Sequence, residues 1–262
     1  MKITVVTVVL NAAEKLKKTI ESVTAQDHND IEYIIKDGGS ADGSLELIKK
    51  AASEYPYIKY VSAPDNGIYD AMNQALRTAT GDYVHFLNAG DTYASESVIS
   101  LTAIRAEASR ALILYGDIIY INGDGSREIR SYGRACSSRL YYLTGDCINH
   151  QAIFAARKLF KNEHFDISYS ICADREWMMR IHAYSGGIRM ECLGFPVACY
   201  ALDGVSVVNK AQYRAETDRC IREHMEWGYP VFAVFEFMRN NDALAKVLHT
   251  IYRKIFINRR DS

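Results

Sequence analysis

The sequence has 262 residues, of which 48% are apolar, and its 31 Lys and Arg residues nearly balance its 32 Asp and Glu residues. This length fits one large domain, or a domain of about 200 residues followed by a C-terminal appendage. The net charge of −1 argues against a protein whose whole surface binds nucleic acid, and no apolar run approaches the roughly 20 residues of a transmembrane helix.

Strand and helix patterns alternate through the first ninety residues. The β-branched run over residues 3–9 is typical of a strand buried on both faces, and Leu16, Ile20 and Val23 then mark one face of a helix. Further strand and helix patterns alternate, with strands over 31–36, 57–61 and 83–87 and helices over 45–52 and 69–76. This β-α-β alternation demands right-handed crossovers. It predicts an α/β fold with a Rossmann-like nucleotide-binding domain built on a mainly parallel sheet.

The alternation loosens after Asp91. A helix is predicted over about 95–109, and an Asn-Gly turn at 122–125 between two β-rich runs predicts a hairpin. Residues 134–170 look irregular, a helix pattern starts near Cys172, and 189–201 is strand-like. From about residue 212 the chain is expected to be largely helical to its end.

Polar turns with glycine follow several predicted strands: Asn11, Asp37–Asp42, Asp65–Gly67 and Asn88–Asp91. In a parallel sheet these turns share one edge, where open α/β sheets bind ligands. Each turn also has a simpler interpretation. Asp91 could cap the next helix, Asp37 could form an Asx turn, and Asp65 could serve a turn alone.

The sequence lacks both glycine-rich phosphate motifs, GxGxxG and GxxxxGK[ST]. A bound diphosphate would therefore need a divalent cation to offset its charge, which favours Asp91 as the ligand of that ion. Asp174, at the start of a later helix, is a candidate general base, with a helix cap as the alternative. A helix N-terminus lowers the basicity of Asp174, whereas a neighbouring Glu176 would raise it.

Residues 1–95 closely resemble the nucleotide-binding half of family-2 inverting glycosyltransferases with the GT-A fold. The resemblance is carried by the following segments: ITVVTVVLNA, SVTAQ, IIKDGGSADGS, APDNGIYDAMNQAL and ATGDYVHFLNAGD. It extends more weakly through Ile148–Gln151 and Ala173–Trp177, so that about 1–206 is covered. The sequences Asp-Gly-Gly-Ser in the third segment and Asp-Asn-Gly-Ile-Tyr-Asp-Ala-Met-Asn in the fourth look typical of bacterial enzymes that build capsule, exopolysaccharide or O-antigen.

The resemblance implies metal-dependent transfer of a sugar from a nucleotide diphosphate, with UDP favoured, to a hydroxyl of a glycan or lipid-linked acceptor, with inversion. Asn88, Ala89, Gly90 and Asp91 occupy the place of the family's DXD motif, with Asp91 on Mn²⁺ or Mg²⁺. Asp174 matches the catalytic base. The positions expected to hold the nucleoside are these: Thr7, Asn11, Asp37 and Asp65.

Three positions depart from the family pattern. Asn88 replaces the first Asp of the motif, Gly38 replaces the second Asp of the usual Asp-Asp-Gly-Ser, and Ala173 replaces the acid before the base. His150 and Gln151 are assigned to the acceptor or diphosphate side, and a buried histidine bonded to backbone is the alternative for His150.

The predicted domain covers 1–210, with a nucleotide-sugar half (1–95) and an acceptor half (96–210), and 211–262 form a helical appendage. Leu244, Leu248, Ile251, Tyr252 and Ile255 make an apolar stripe among basic residues. Such a stripe suits an anionic membrane, and packing on the domain or on a second subunit in a homo-oligomer is the alternative.

Six cysteines without a CxxC pair, and a first strand without a preceding signal peptide, predict a reduced, cytoplasmic protein, at most attached to the inner face of a membrane.

Two other functions remain open from the sequence. A sugar nucleotidyltransferase would usually carry a glycine-rich basic loop after the first strand, where this chain reads Leu-Asn-Ala-Ala-Glu. A non-catalytic nucleotide-sugar-binding module would not need both Asp91 and Asp174.

Overall fold

The first half of the chain forms the parallel part of one sheet. The computed structural model describes residues 1–162, 164–184, 188–201, 209–241, 244–247 and 250. Its early elements are β1 (Ile3–Val9), α1 (Ala13–Thr24), β2 (Ile31–Asp37), α2 (Ser44–Glu54), β3 (Ile58–Ser62), α3 (Ile68–Leu76) and β4 (Tyr83–Phe86). Strand β1 pairs in parallel with β2 on one side and with β4 on the other, and β2 pairs in parallel with β3. The predicted α/β architecture and its parallel sheet are confirmed.

The second half adds the elements that close the fold around the sheet. They are β5 (Thr92–Tyr93), α4 (Val98–Ser109), β6 (Ile113–Ile121), β7 (Arg127–Arg130), β8 (Ile153–Ala156), α5 (Ala173–Tyr184), β9 (Met190–Ala201), α6 (Lys210–His224) and α7 (Tyr229–Arg239). Within the described residues the strand order is β3-β2-β1-β4-β8-β6-β9-β5, and β7 pairs with β6. The hairpin predicted around Asn122 is confirmed as the antiparallel pair of β6 and β7.

Strand β8 lies inside a stretch that the sequence pattern predicts to be irregular. It runs antiparallel between β4 and β6, and its Phe154 lies opposite His85 of β4 and opposite Leu114 of β6. Its four residues are all buried and apolar, so they carry neither the alternation of a half-exposed strand nor the length of a helix. The strand is fixed by its tertiary position rather than by a local signal.

Alternate side chains of β1 enter opposite halves of the core, as the two-residue period of a strand requires. Val6 and Val8 pack with Met72 of α3 and Trp177 of α5 on one face. Val5 and Val9 pack on the other face with the following residues of α1, α2 and α4: Leu16, Ile20, Val23, Ile48, Ala51, Val98 and Ile99. Helices on both faces explain why β1 reads as a continuous apolar run.

All six cysteines remain thiols, and four of them are buried, as the sequence predicts. No helix among the described residues is both long and apolar enough to cross a membrane. Of the predicted apolar stripe over 244–255, only 244–247 and 250 fall within the described residues. The membrane contact assigned to that stripe, and the division of the chain near residue 210, stay predictions.

Candidate active site

A cavity of about 650 Å³ lies where the two halves of the chain meet. Its wall includes the turn after β4, the start of α3, the segment before β8, the start of α5, and residues of β6, β7, β9 and α6. The predicted metal-binding turn and the predicted base, Asp174, both line it. The structure therefore brings together two groups that are more than eighty residues apart in the sequence.

The turn Asn88–Asp91 is shaped by its glycine and by a threonine of α1. Gly90 has a φ of 107°, in the left-handed region that side chains disfavour. The amide of Gly90 donates to Thr19 Oγ1 at 2.9 Å, and that hydroxyl donates to the carbonyl of Asp91 at 2.8 Å. Asp91 leads into strand β5, and the next helix starts only at Val98. Asp91 therefore does not cap a helix, and that interpretation is wrong.

The carboxylate of Asp91 is buried and is oriented by residues close to the centre of the sheet. Gln151 Nε2 donates to Asp91 Oδ2 at 3.1 Å, and the carbonyl of Gln151 lies 2.9 Å from His85 Nε2. Burial lowers the pKa of His85 to about 3, so its ring is neutral and donates through Nε2–H while Nδ1 accepts from the Tyr93 hydroxyl at 2.8 Å. His85 is thus a buried histidine bonded to backbone, and no local sequence pattern distinguishes it from the other residues of β4.

Asp174 is held by three donors at the start of α5. Its Oδ1 accepts from the Tyr69 hydroxyl at 3.0 Å and from the Arg175 amide at 2.8 Å, and its Oδ2 lies 2.8 Å from His150 Nδ1. Burial alone would raise the pKa of Asp174, but the hydrogen bond from His150, with the other donors, holds the pKa below its ordinary value. The predicted influence of Glu176 is not seen in the contacts of Asp174, because Glu176 pairs with Arg180 at 2.7 Å.

His150 joins the base to the turn after β4. Its Nε2 lies 3.0 Å from Asn88 Nδ2. Since the amide nitrogen can only donate, Nε2 accepts, and the ring proton lies on Nδ1, where it is donated to Asp174. The alternative for His150, a histidine bonded to backbone, is wrong. Tyr69 and this bridging role of His150 were not predicted, because neither has a pattern that sets it apart from core residues.

Helix α6 organises the segment just before the base. The carboxylate of Glu216 accepts from the amides of Ser170, Ile171 and Cys172 at 2.9–3.0 Å, which satisfies three N–H groups of the segment that leads into α5. Arg175 is almost completely buried and donates to the Gly145 carbonyl and to the Tyr213 hydroxyl. Both contacts tie the beginning of α5 to α6 and to the loop at Gly145.

The loops after β1 and β2 bond mainly to each other. Asp37 is completely buried, and its oxygens accept from the amides of Gly39 and Ser40 and from the hydroxyls of Ser40 and Ser62. Burial would raise the pKa of Asp37, but these hydrogen bonds keep it below its ordinary value. Asn11 accepts from the amide of Ala41 at 2.9 Å. The Asx turn considered for Asp37 is present.

Thr7 and Asp65 are also engaged inside the protein. The Thr7 hydroxyl is buried between the Leu87 carbonyl, at 2.6 Å, and the Tyr33 hydroxyl, at 3.0 Å. Asp65 pairs with the buried ammonium of Lys36 at 2.9 Å and accepts from the Gly67 amide. Neither residue, nor Asn11 or Asp37, lines the main cavity. Their predicted contacts with a nucleoside stay predictions.

The profile of the family described as "Glycosyl transferase family 2" matches residues 4–174 of the sequence. The chain belongs to glycosyl transferase family 2. This membership agrees with the predicted enzyme class, a glycosyltransferase, and disfavours both the nucleotidyltransferase and the non-catalytic module.

Family-2 membership is accompanied by similarity to individual proteins. The chain is 31% identical over 179 residues to a PGL/p-HBAD biosynthesis glycosyltransferase of Mycobacterium bovis, covering 67% of each chain. Its fold resembles Staphylococcus aureus TarS 1–349 in complex with UDP-GlcNAc, with a TM-score of 0.68, 18% identity, and coverage of 92% of this chain and 74% of that one. It also resembles the mannosyltransferase PcManGT of Pyrobaculum calidifontis in complex with GDP-Man and Mn²⁺, with a TM-score of 0.61, 16% identity, and coverage of 97% and 80%.

The residues of this family-2 site are compatible with a divalent cation that a diphosphate helps to hold. Among the described residues no cluster of three or more His, Cys, Asp or Glu side chains could enclose a metal on its own. However, Asn88 Oδ1 is buried and has no hydrogen-bond partner within the described part of the chain, and Asp91 lies in the same turn. Mg²⁺ and Mn²⁺ accept such oxygen ligands and are often held by one or two carboxylates plus substrate phosphates.

Proposed function

We propose that the protein transfers a sugar from a nucleotide-diphosphate sugar, with UDP as the favoured nucleotide, to a hydroxyl of a glycan or lipid-linked acceptor, with inversion at the anomeric carbon. The observation that carries this proposal is the shared cavity of the Asn88–Asp91 turn and Asp174, linked through His150. One group suits a leaving diphosphate, and the other suits an attacking hydroxyl.

The donor diphosphate would lie against the turn after β4. Asp91 and Asn88 Oδ1 would hold a divalent cation there, and that cation would offset the negative charge of the departing nucleoside diphosphate. Lys15 and Lys18 of α1 also line the cavity and add positive charge on the same side of the turn. Ala89 and Gly90 present backbone without bulky side chains, which leaves room for phosphates. The nucleoside would extend towards the loops of Asn11, Asp37 and Asp65, near the buried Thr7.

The acceptor would lie on the side of Asp174. The carboxylate of Asp174 takes the proton of the acceptor hydroxyl while the hydroxyl oxygen forms a bond to the anomeric carbon and the bond to the diphosphate breaks. Tyr120 and Tyr200, whose rings meet edge to face at 5.9 Å, and Tyr213 line the cavity and supply apolar surface for a sugar ring.

The positions of the other acids support inversion. Asp146 also lines the cavity but forms an ion pair with Arg130 at 2.8 Å, and Asp91 is bound by Gln151. Because Asp91 is assigned to the cation and Asp146 is paired with Arg130, Asp174 is the acid among the cavity residues that is left to act as the base, and a single base suits direct displacement. The low pKa of Asp174 keeps it ionised, and therefore able to accept a proton, at neutral pH.

The test is a thermal-shift screen of nucleotide sugars with and without Mn²⁺, followed by a transfer assay with the best donor. We expect one nucleotide class to stabilise the protein, and Mn²⁺ to increase the shift. Analysis of the product by NMR would then give the anomeric configuration. Retention of configuration, or stabilisation by no nucleotide sugar, would contradict the proposal.

A further inference from the structure

Helix α7 has the reverse of the usual polarity of a surface helix. Its solvent side carries apolar residues: Val231, Val234 and Phe237 are 47%, 57% and 67% exposed, and Trp227, just before the helix, is 61% exposed. Its charged residues, Glu236 and Arg239, instead bond to each other, and Arg239 donates to the Thr144 carbonyl. We call Trp227, Val231, Val234 and Phe237 the α7 face.

Three residues of the α7 face are spaced by three positions along the helix. At 100° per residue this spacing places Val231, Val234 and Phe237 on one side of α7, and Trp227 lies in the 3-10 turn Glu226–Gly228 that leads into the helix. The opposite side is anchored by Phe232, which is buried, while the preceding Gly228 packs closely against Leu143. Isolated exposed apolar residues are ordinary, but a whole helix face of them marks an interaction surface.

The charge of the sequence that follows α7 indicates what this surface contacts. Residues 240–262 contain five basic residues (Lys246, Arg253, Lys254, Arg259 and Arg260) and two acidic residues, Asp242 and Asp261, for a net charge of +3. An apolar helix face next to basic residues is the combination that binds the interface of anionic bilayers, where tryptophan is also favoured.

We propose that the α7 face docks on a membrane surface that contains anionic lipids. The docking rests on the exposure of α7 and on the charge of the following sequence, and not on the proposed reaction. A smaller cavity between α6 and α7 is lined by Tyr213, Phe232 and Arg239, and Tyr213 also lines the main cavity. Tyr213 therefore connects the contact region of α6 and α7 with the cavity wall that the proposed function assigns to the acceptor.

The experiment is sedimentation of the full chain with vesicles of phosphatidylglycerol and phosphatidylcholine in equal parts, and with vesicles of phosphatidylcholine alone. We expect binding to the anionic vesicles, and a loss of about tenfold or more in the double variant Val234→Asp/Phe237→Asp, because both apolar contacts are replaced by charges that the lipid repels. Ile104→Asp is the matched control, since Ile104 is equally exposed at 63% but lies on α4. The control should bind like the wild type.

Tryptophan fluorescence provides a second readout that does not disturb the fold. The chain has two tryptophans, and Trp177 is buried against Phe160, so brominated lipids should quench Trp227. Trp227→Phe should lose this quenching and still sediment with vesicles. The proposal is overturned if wild type does not bind anionic vesicles, if the double variant binds as well as wild type, or if both lipid compositions bind equally. A dimer that the double substitution dissociates, without vesicle binding, would assign the α7 face to a second copy.

Discussion

The carboxylates at the sheet edge are held in two different ways. Asp37 and Asp65 obtain their partners from their own loops or from the adjacent strand, through Ser40, Ser62 and Lys36. Asp91 and Asp174 obtain theirs from distant parts of the chain, through Gln151, His150 and Tyr69. The first pair shapes loops, whereas the second pair lines a cavity in which a ligand can compete for their oxygens.

The two pairs of acids look alike in the sequence, because the difference between them lies in tertiary hydrogen bonds. All four acids follow predicted strands or start a helix, and a local pattern reports only that position. The sequence pattern does not show whether the oxygens of the acid accept hydrogen bonds from its own loop or face a cavity, because this depends on the tertiary structure. The following substitutions test the difference, from the largest to the smallest expected effect on transfer.

Asp174→Asn should lower kcat by about 10²–10⁴-fold, because the amide cannot take the proton of the acceptor hydroxyl. Donor binding, measured by calorimetry with the nucleoside diphosphate and Mn²⁺, should stay at the wild-type level, since the hydrogen bonds of Asp174 go to Tyr69, His150 and Arg175 and not to residues 88–91. A wild-type rate of transfer in this variant would show that Asp174 is not the base.

Asp91→Ala should remove most of the gain in nucleoside-diphosphate affinity that Mn²⁺ provides, a loss of about tenfold or more, because the turn loses its carboxylate ligand. Titration of the nucleotide with and without Mn²⁺ measures the gain directly. Asp27→Ala, at an exposed acid after α1, is the control and should keep the full metal effect. An unchanged metal effect in Asp91→Ala would place the cation elsewhere.

Two substitutions of His150 should separate its two contacts. The side-chain nitrogen of His150→Asn falls near the place of Nδ1 and can still donate to Asp174, whereas His150→Gln reaches towards the place of Nε2 and Asn88. We expect His150→Gln to lower kcat by about tenfold with little change in donor KM, and His150→Asn to act mainly on donor KM. Equal effects of both variants on both parameters would mean that His150 supports the fold and not the geometry of Asp174.

Asp65→Ala should lower the free energy of unfolding by about 3 kcal/mol or more, because the buried Lys36 ammonium loses its counter-charge. The double variant Lys36→Met/Asp65→Ala also removes the unpaired buried ammonium, and it should recover much of the free energy of unfolding measured in urea titrations. If Asp65 also holds the nucleoside, donor KM stays raised in the double variant while kcat is nearly normal. Recovery of both stability and KM would leave Asp65 a purely structural role.

Much of the fold follows from local patterns, whereas the contacts of the site do not. Local periodicity and turn residues predict the buried strands β1 and β2, the helix α1 between them and the turn at Asn88–Asp91. Local patterns do not predict strand β8, nor the series of hydrogen bonds that links Tyr93, His85, Gln151 and Asp91. Both form only when residues 83–93 and 151–156 pack together. Asp174 is predicted from its place at the start of a helix and from the family pattern, whereas its hydrogen bonds to Tyr69 and His150 appear only in the structure.

The bonds from Glu216 to the three amides before α5 have a consequence for any shortened form of the protein. A chain ending at residue 209 would keep Asp91, His150 and Asp174, yet it would lack Glu216 and Tyr213. The amides of 170–172 and the guanidinium of Arg175 would then lose the acceptors that α6 supplies. The smallest active fragment should therefore extend at least through His224, even though the family profile ends at residue 174.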